Sequence, residues 1–166
     1  MMSYEDALDD RTAIADAVAS LAAHVDARRW PNLLALFEPK VTVDYSALFG
    51  GEPETLARDD LILRWQALLP GFTHTIHLIG FPLIELLDQS ARASAPVVAW
   101  HHIQVSEIGS NSLWQVGGCY EIAFERSETA WRISHLALVG AWAIGNLELP
   151  HIARERAASK AARKAE

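Results

Sequence analysis

The 166-residue sequence predicts an α+β domain in which N-terminal helices cover one side of a curved, mainly antiparallel sheet. Three observations carry that expectation. Apolar residues near the start recur at helical spacing, the second half of the chain alternates apolar and polar residues over long runs, and the order is helices first and strands after. A chain of this length fits one domain with one sizeable core.

Taken in order, Ser3 followed by Asp6 offers an N-cap signal. Ile14, Val18, Leu21 and Val25 then recur at spacings of four, three and four, which predicts an amphipathic helix, with interspersed alanines favouring it by propensity. A second short helix is expected through Arg28–Glu38, with Pro31 in its first turn. Residues 40–47 (KVTVDYSA) switch to period two, with Val41, Val43, Tyr45 and Ala47 on one face, and predict a strand with one wet side. Gly50–Gly51 break the chain and Leu61–Leu69 supplies another helix. Beyond Gly71 strands are expected to residue 143, with turns near Asp88–Ser90, Gly109–Asn111 and Ser127–Thr129. Val97, Ala99, His101, Ile103 and Val105 share a face of one strand, and Trp114, Val116, Gly118, Tyr120, Ile122 and Phe124 share a face of the next. Trp131–Trp142 is expected to close the sheet. A domain over 1–150 is followed by a tail, 151–166, that carries +3 against −10 for the rest and reads as an Ala-rich basic helix with few anchors beyond Ile152.

Composition narrows the function. The formal charge is −7, against the basic face that nucleic acid demands. Half the residues are apolar and six are Trp, so the bulk of the chain is expected to fold. The single Cys119 leaves no internal disulfide and suits a reducing cytoplasm. The acidic start MMSYEDALDD lacks the features of a signal peptide, and no apolar run approaches the ~20 residues of a membrane span. A cytoplasmic protein is expected. Phosphate loops, dinucleotide fingerprints, nucleophile elbows and Cys-x-x-Cys pairs are missing from the sequence, so nucleotide and serine-hydrolase chemistry are poor fits and no cofactor is expected.

A handful of polar residues fall on apolar series. Asp26 sits at the edge of the first helix's apolar stripe. Two readings weigh equally there: a cap paired with Arg28 or Arg29, or a carboxylate held inside by a donor. His74 and His77, three apart in a strand, point to opposite faces, as do the adjacent His101 and His102, so each pair delivers one imidazole to a shared interior. That spacing disfavours a structural zinc site. The face-mates of His101 are all apolar, and Tyr45 and Tyr120 lie on apolar series too. Singly, each reads most simply as a satisfied core residue; together, Asp26, Tyr45, His77, His101 and Tyr120 predict a polar pocket in one curved sheet.

The segments His24–Trp30, Val41–Ser46, His74–Gly80 and Ala99–Val105 resemble, in order and spacing, the scytalone dehydratase family, while the hairpin from Gly117-Gly118-Cys119-Tyr120 to Trp131-Arg132 is more like hexachlorocyclohexane dehydrochlorinase. Both belong to the SnoaL-like group of the nuclear-transport-factor-2-like superfamily, and the likeness covers roughly residues 10–150. The resemblance implies a cone-shaped barrel with a deep pocket, an Asp–His dyad at Asp26 and His77, a second pocket histidine at His101 and a water-holding tyrosine at Tyr45. It also implies a homo-oligomer, a trimer or a dimer. A second family tyrosine is replaced here by Val25, and small polar residues of a late strand by Gly118 and Tyr120.

The expected activity is that of a cofactor-free, dehydratase-like lyase. His77 is the candidate general base, since imidazole titrates near neutrality, with Asp26 fixing its tautomer and His101 and Tyr45 as candidate donors. Tyr120, Val25, Trp114 and Phe124 are candidate substrate contacts, and a hydrophobic, cyclic or aromatic small molecule is the expected partner. Competing expectations are a non-catalytic ligand-binding module, a related isomerase or cyclase, and, more distantly, a metal site made by His77, His101 and Asp26.

Overall fold

The computed structural model describes residues 4–104, 111–127 and 130–165; the expectations at Ser3, Val105 and the turns over 109–110 and 128–129 lie outside the described residues. Helix α1 spans Tyr4–Ala27 and buries the predicted stripe of Ile14, Val18, Leu21 and Val25. It ends on Arg28 at φ 54, a left-handed turn in which Arg28 N–H donates to the Val25 carbonyl (3.2 Å) and Arg29 N–H to that of His24 (2.9 Å). An arginine there costs conformational energy that glycine would not. Its guanidinium donates to the Leu69 and Phe72 carbonyls (2.9 and 3.0 Å), which fixes the helix end against the chain segment ahead of the third strand.

Helix α2 is Trp30–Ala35, shorter than expected. The Leu36 carbonyl is taken by Ile133 N–H (2.8 Å), so Phe37 and Glu38 already belong to strand β1, Phe37–Asp44. The strand also stops early. Asp44 Oδ1 accepts the Ser46 N–H (2.9 Å), and this side-chain turn starts helix α3, Ser46–Phe49, so Tyr45 and Ala47 are not strand residues. Strand β2 (Glu54–Ala57), which the sequence reading missed, pairs antiparallel with β1, and α4 follows at Arg58–Gln66. Pro70 keeps that helix from continuing, and Leu69–Gly71 form a single 3-10 turn instead.

Strands β3 (His74–Ile79), β4 (Leu83–Leu86), β5 (Ser90–His102), β6 (Leu113–Arg126) and β7 (Trp131–Gly145) complete one seven-stranded sheet. Its order is β2-β1-β7-β6-β5-β3, with β4 also on β5. Every pairing is antiparallel except β1 with β7. The sheet is curved and not closed: β7 lies between β1 and β6, and its edges are β2 and β3. Three residues of β7 are passed between Val139 and Trp142 while β6 advances two, from Cys119 to Gly117; Gly140 at φ 57 supplies the extra residue of this bulge.

The core lies between α1 and the concave face, where Phe37, Phe72, Phe124, Ile133 and Leu136 are wholly buried. Asp10, 7% exposed, fastens the other end of α1: it accepts from Trp131 Nε1 (3.0 Å) and from the Arg126 guanidinium. Helix α5, Leu149–Ala165, is better anchored than the sequence reading expected. Leu149, Ala153 and Ala157 are buried, and Arg156 and Lys160 donate to the Gly71 and Pro70 carbonyls (3.0 and 2.7 Å). No helix among the described residues is long and apolar enough to cross a membrane.

Candidate active site

The curvature of the sheet leaves a cavity of about 280 Å³ between its concave face and helices α1, α3, α4 and α5. Most of its wall is aliphatic or aromatic, with Leu21, Val97, Val116 and Leu138 among the former and Trp65 and Trp114 among the latter. Four polar side chains flagged by the sequence, Tyr45, His77, His101 and Tyr120, all line it.

Strand parity places the imidazoles. In β3 the residues Thr75, His77 and Ile79 face inward, while His74, Ile76 and Leu78 are exposed. In β5 His101 is 5% exposed, and its neighbour His102 turns outward to stack on His74 (ring centroids 6.0 Å apart). Antiparallel register sets Thr75 opposite His101 and His77 opposite Ala99, so the two inward histidines are diagonal neighbours. Their rings meet edge to face, 5.2 Å between centroids.

Asp26 lies behind His77 and not in the cavity wall. Of the two readings open for it, the interior carboxylate is the one found. Its Oδ1 stands 2.7 Å from His77 Nδ1 and accepts the Thr75 hydroxyl (2.9 Å), while Oδ2 accepts the His77 backbone N–H (2.7 Å). Burial raises its pKa, but the hydrogen bonds from His77 and Thr75 outweigh it and hold the carboxyl below its ordinary value. An ionised carboxylate on Nδ1 selects the tautomer with the proton on that nitrogen and leaves the Nε2 lone pair for the cavity. Arg28, the alternative partner, is spent on backbone carbonyls. Thr75 was missed, though its shared parity with His77 was readable.

His101 is set among rings, with centroids 4.9 Å from Phe72 and 4.6 Å from Trp114. Burial, together with the neighbouring His77, pushes its imidazole down to about 3, so it is neutral at physiological pH. Its Nδ1 is buried and finds no partner among the described residues. The two tyrosines pair with each other. Burial raises both phenols, Tyr45 well above its usual value and Tyr120 to about 12.

Val25 and Trp114 also line the cavity. Phe124 does not: it is wholly buried in the core. Residues the sequence reading passed over enter the wall from α3, α4 and α5, among them Phe49, Arg64 and Arg154. No group of three or more His, Cys, Asp or Glu among the described residues could hold a metal ion, which counts against the distant metal-site reading. The reason is geometric: both Asp26 oxygens sit on the Nδ1 side of His77, away from the cavity.

Residues 6–137 match the model of the SnoaL-like domain family. The chain belongs to that family. This agrees with the resemblance read from the sequence, and the helices and unclosed sheet agree with the cone fold of the nuclear-transport-factor-2-like superfamily. No curated protein matches the sequence. Among solved structures, the Kfla4162 protein of Kribbella flavida is similar at 24% identity and TM-score 0.81, over 90% of this chain and 99% of that one. A Novosphingobium aromaticivorans protein assigned as a scytalone dehydratase is similar at 18% and 0.71, over 87% and 92%. Hexachlorocyclohexane dehydrochlorinase LinA type 3 of Novosphingobium barchaimii is similar at 18% and 0.66, over 87% and 97%. At such identities the likeness carries the fold, and chemistry has to be argued from the site.

Proposed function

We propose that this SnoaL-like protein is a cofactor-free lyase of the dehydratase type, which removes a carbon-bound proton from a hydrophobic, cyclic or aromatic small molecule. The observation that carries this reading is the Asp26–His77 pair at 2.7 Å, with His77 at the wall of an otherwise greasy cavity. His77 Nε2 takes the proton from the carbon next to a carbonyl. Asp26 stabilises the imidazolium that forms, as a triad carboxylate does. Negative charge then gathers on the carbonyl oxygen, where the Tyr120 hydroxyl in the cavity wall can meet it as a donor. A hydroxyl on the next carbon departs with the proton His77 holds, and water is released. A positioned base supplies about 10²–10⁴ in rate, and the donors and the exclusion of water supply more. His101, neutral and without a charge to compensate, orients the substrate in this scheme.

The neighbours named as dehydratase and dehydrochlorinase support an elimination over other uses of such a dyad. Association into a trimer or dimer and a cytoplasmic location belong to the same proposal, carried by the resemblance and the composition. The test is turnover of hydroxylated cyclic ketones, followed as loss of water. Wild-type protein converts at least one of them, and His77→Ala abolishes conversion while the fold, read by circular dichroism, is unchanged. Full activity in His77→Ala refutes the lyase. Binding that persists without any turnover in the wild type favours the non-catalytic module instead.

A further inference from the structure

The charge inventory of the cavity wall is one-sided. Two arginines, Arg64 and Arg154, line it, and no Asp or Glu does so among the described residues. This basic rim stands in a chain of formal charge −7. The two arginines differ. Arg64 is bidentate to Glu54, at 2.6 and 2.7 Å, so its fork is occupied. Arg154 projects from the second turn of α5 and is exposed, with no hydrogen bond or ion pair to any described residue. The cations flanking it on the same helix are spent, Arg156 on the Gly71 carbonyl and Lys160 on that of Pro70. The nearby Glu155 is paired with His151 (3.4 Å). The backbone under Arg154 is fixed, because Ala153 is buried and its carbonyl group leaves no room for a Cβ on Gly71.

We infer that Arg154 is an anion-binding residue at the mouth of the cavity, and that the substrate carries a carboxylate or a similar planar oxyanion remote from the carbon that loses its proton. The guanidinium fork matches such a group bidentately. An apolar wall between His77 and Arg154 then takes the hydrocarbon body. The inference deepens the functional reading above and rests on the cavity being a substrate site; it does not depend on catalysis.

Binding of 2-naphthoate and its neutral amide, 2-naphthamide, measured by quenching of tryptophan fluorescence or by calorimetry, tests it. Wild-type protein should prefer the carboxylate by about tenfold or more, and the preference should shrink as salt is raised. Arg154→Gln should reduce the ratio to about one without weakening the amide, and Arg154→Lys should keep part of it. Arg64→Gln, which removes a guanidinium already held by Glu54, should leave it in place. Equal binding of the two probes by wild type, or a preference that survives Arg154→Gln, overturns the inference while sparing the substrate site. Failure of both probes to bind counts against the cavity reading itself, and the inference falls with it.

Discussion

Replacing Asp26 with Asn probes the dyad with little change of shape. The carboxylate accepts three hydrogen bonds, from Thr75, the His77 backbone N–H and His77 Nδ1–H. An amide has one oxygen and one NH2. With the amide oxygen on the His77 backbone N–H, the NH2 faces Nδ1 and forces that nitrogen to accept, moving the ring proton to Nε2. The reverse placement sets two donors against each other, which costs about 1–3 kcal/mol, so the first is preferred. In that state the nitrogen that faces the cavity is protonated in the resting enzyme and cannot act as a base. A comparable wrong-tautomer substitution in a serine protease triad lowers kcat about 10⁴-fold, and a loss of about 10³–10⁴ here corresponds to about 4–5.5 kcal/mol on the barrier. Long-range ¹H–¹⁵N correlation spectra read the tautomer with no substrate present. The His77 proton is expected on Nδ1 in the wild type and on Nε2 in Asp26→Asn, with the fold intact. An unchanged tautomer in Asp26→Asn, or a wild-type ring already protonated at Nε2 alone, refutes the reasoning.

Two further outcomes follow from the same contacts. His101 refuses a proton down to about pH 3 in the folded chain, whereas an unfolded histidine accepts one near pH 6.5. The unfolded state therefore binds more protons between those values, so this contribution to stability is full above about pH 6.5 and is lost as pH falls toward 3. Chemical denaturation from pH 7 to 4 should show the decline, up to about 1.4 kcal/mol per pH unit, and a shallower one in His101→Phe; superimposable slopes contradict it. In Gly71→Ala the new Cβ would lie 1.8 Å from the Ala153 carbonyl oxygen, so α5 has to lift. A loss of about 1–3 kcal/mol and faster tryptic cleavage at Arg154 or Arg156 are expected, and an unchanged Tm and cleavage rate would argue that α5 is not held there.

The sheet was legible because side chains in β5 and β6 alternate over long runs, and period two leaves little freedom: Val97, Ala99, His101, Trp114, Val116 and Tyr120 all face inward as read. Short elements were not, since a single local contact decides them. The Asp44 side chain ends β1 two residues after Thr42 and turns Tyr45 into the start of α3. Tyr45 still reaches the cavity, by a helix start in place of a strand face. β2 has one buried residue, Leu56, and so no pattern to read. At the site, His77 and His101 followed from parity, whereas the partner of Asp26 came only from the family resemblance, because Arg28 and Arg29 are closer in sequence than His77 and only the crossing of α1 over β3 brings the last of these within 2.7 Å. Phe124 shared a face with the pocket residues but lies where the core is already closed over. Arg154 was read only as part of a basic helical tail with few anchors, since nothing in the sequence says that α5 folds back over the 3-10 turn.

The central claim is that His77, held by Asp26, removes a proton from carbon. It can be tested without knowing the substrate, by following exchange of the α-protons of a simple bicyclic ketone such as 2-tetralone into D2O, by mass spectrometry or NMR. The account predicts that wild-type protein accelerates the exchange well above the buffer rate and that His77→Gln returns it to that rate. Exchange that persists undiminished in His77→Gln, or a wild type no faster than buffer, contradicts it.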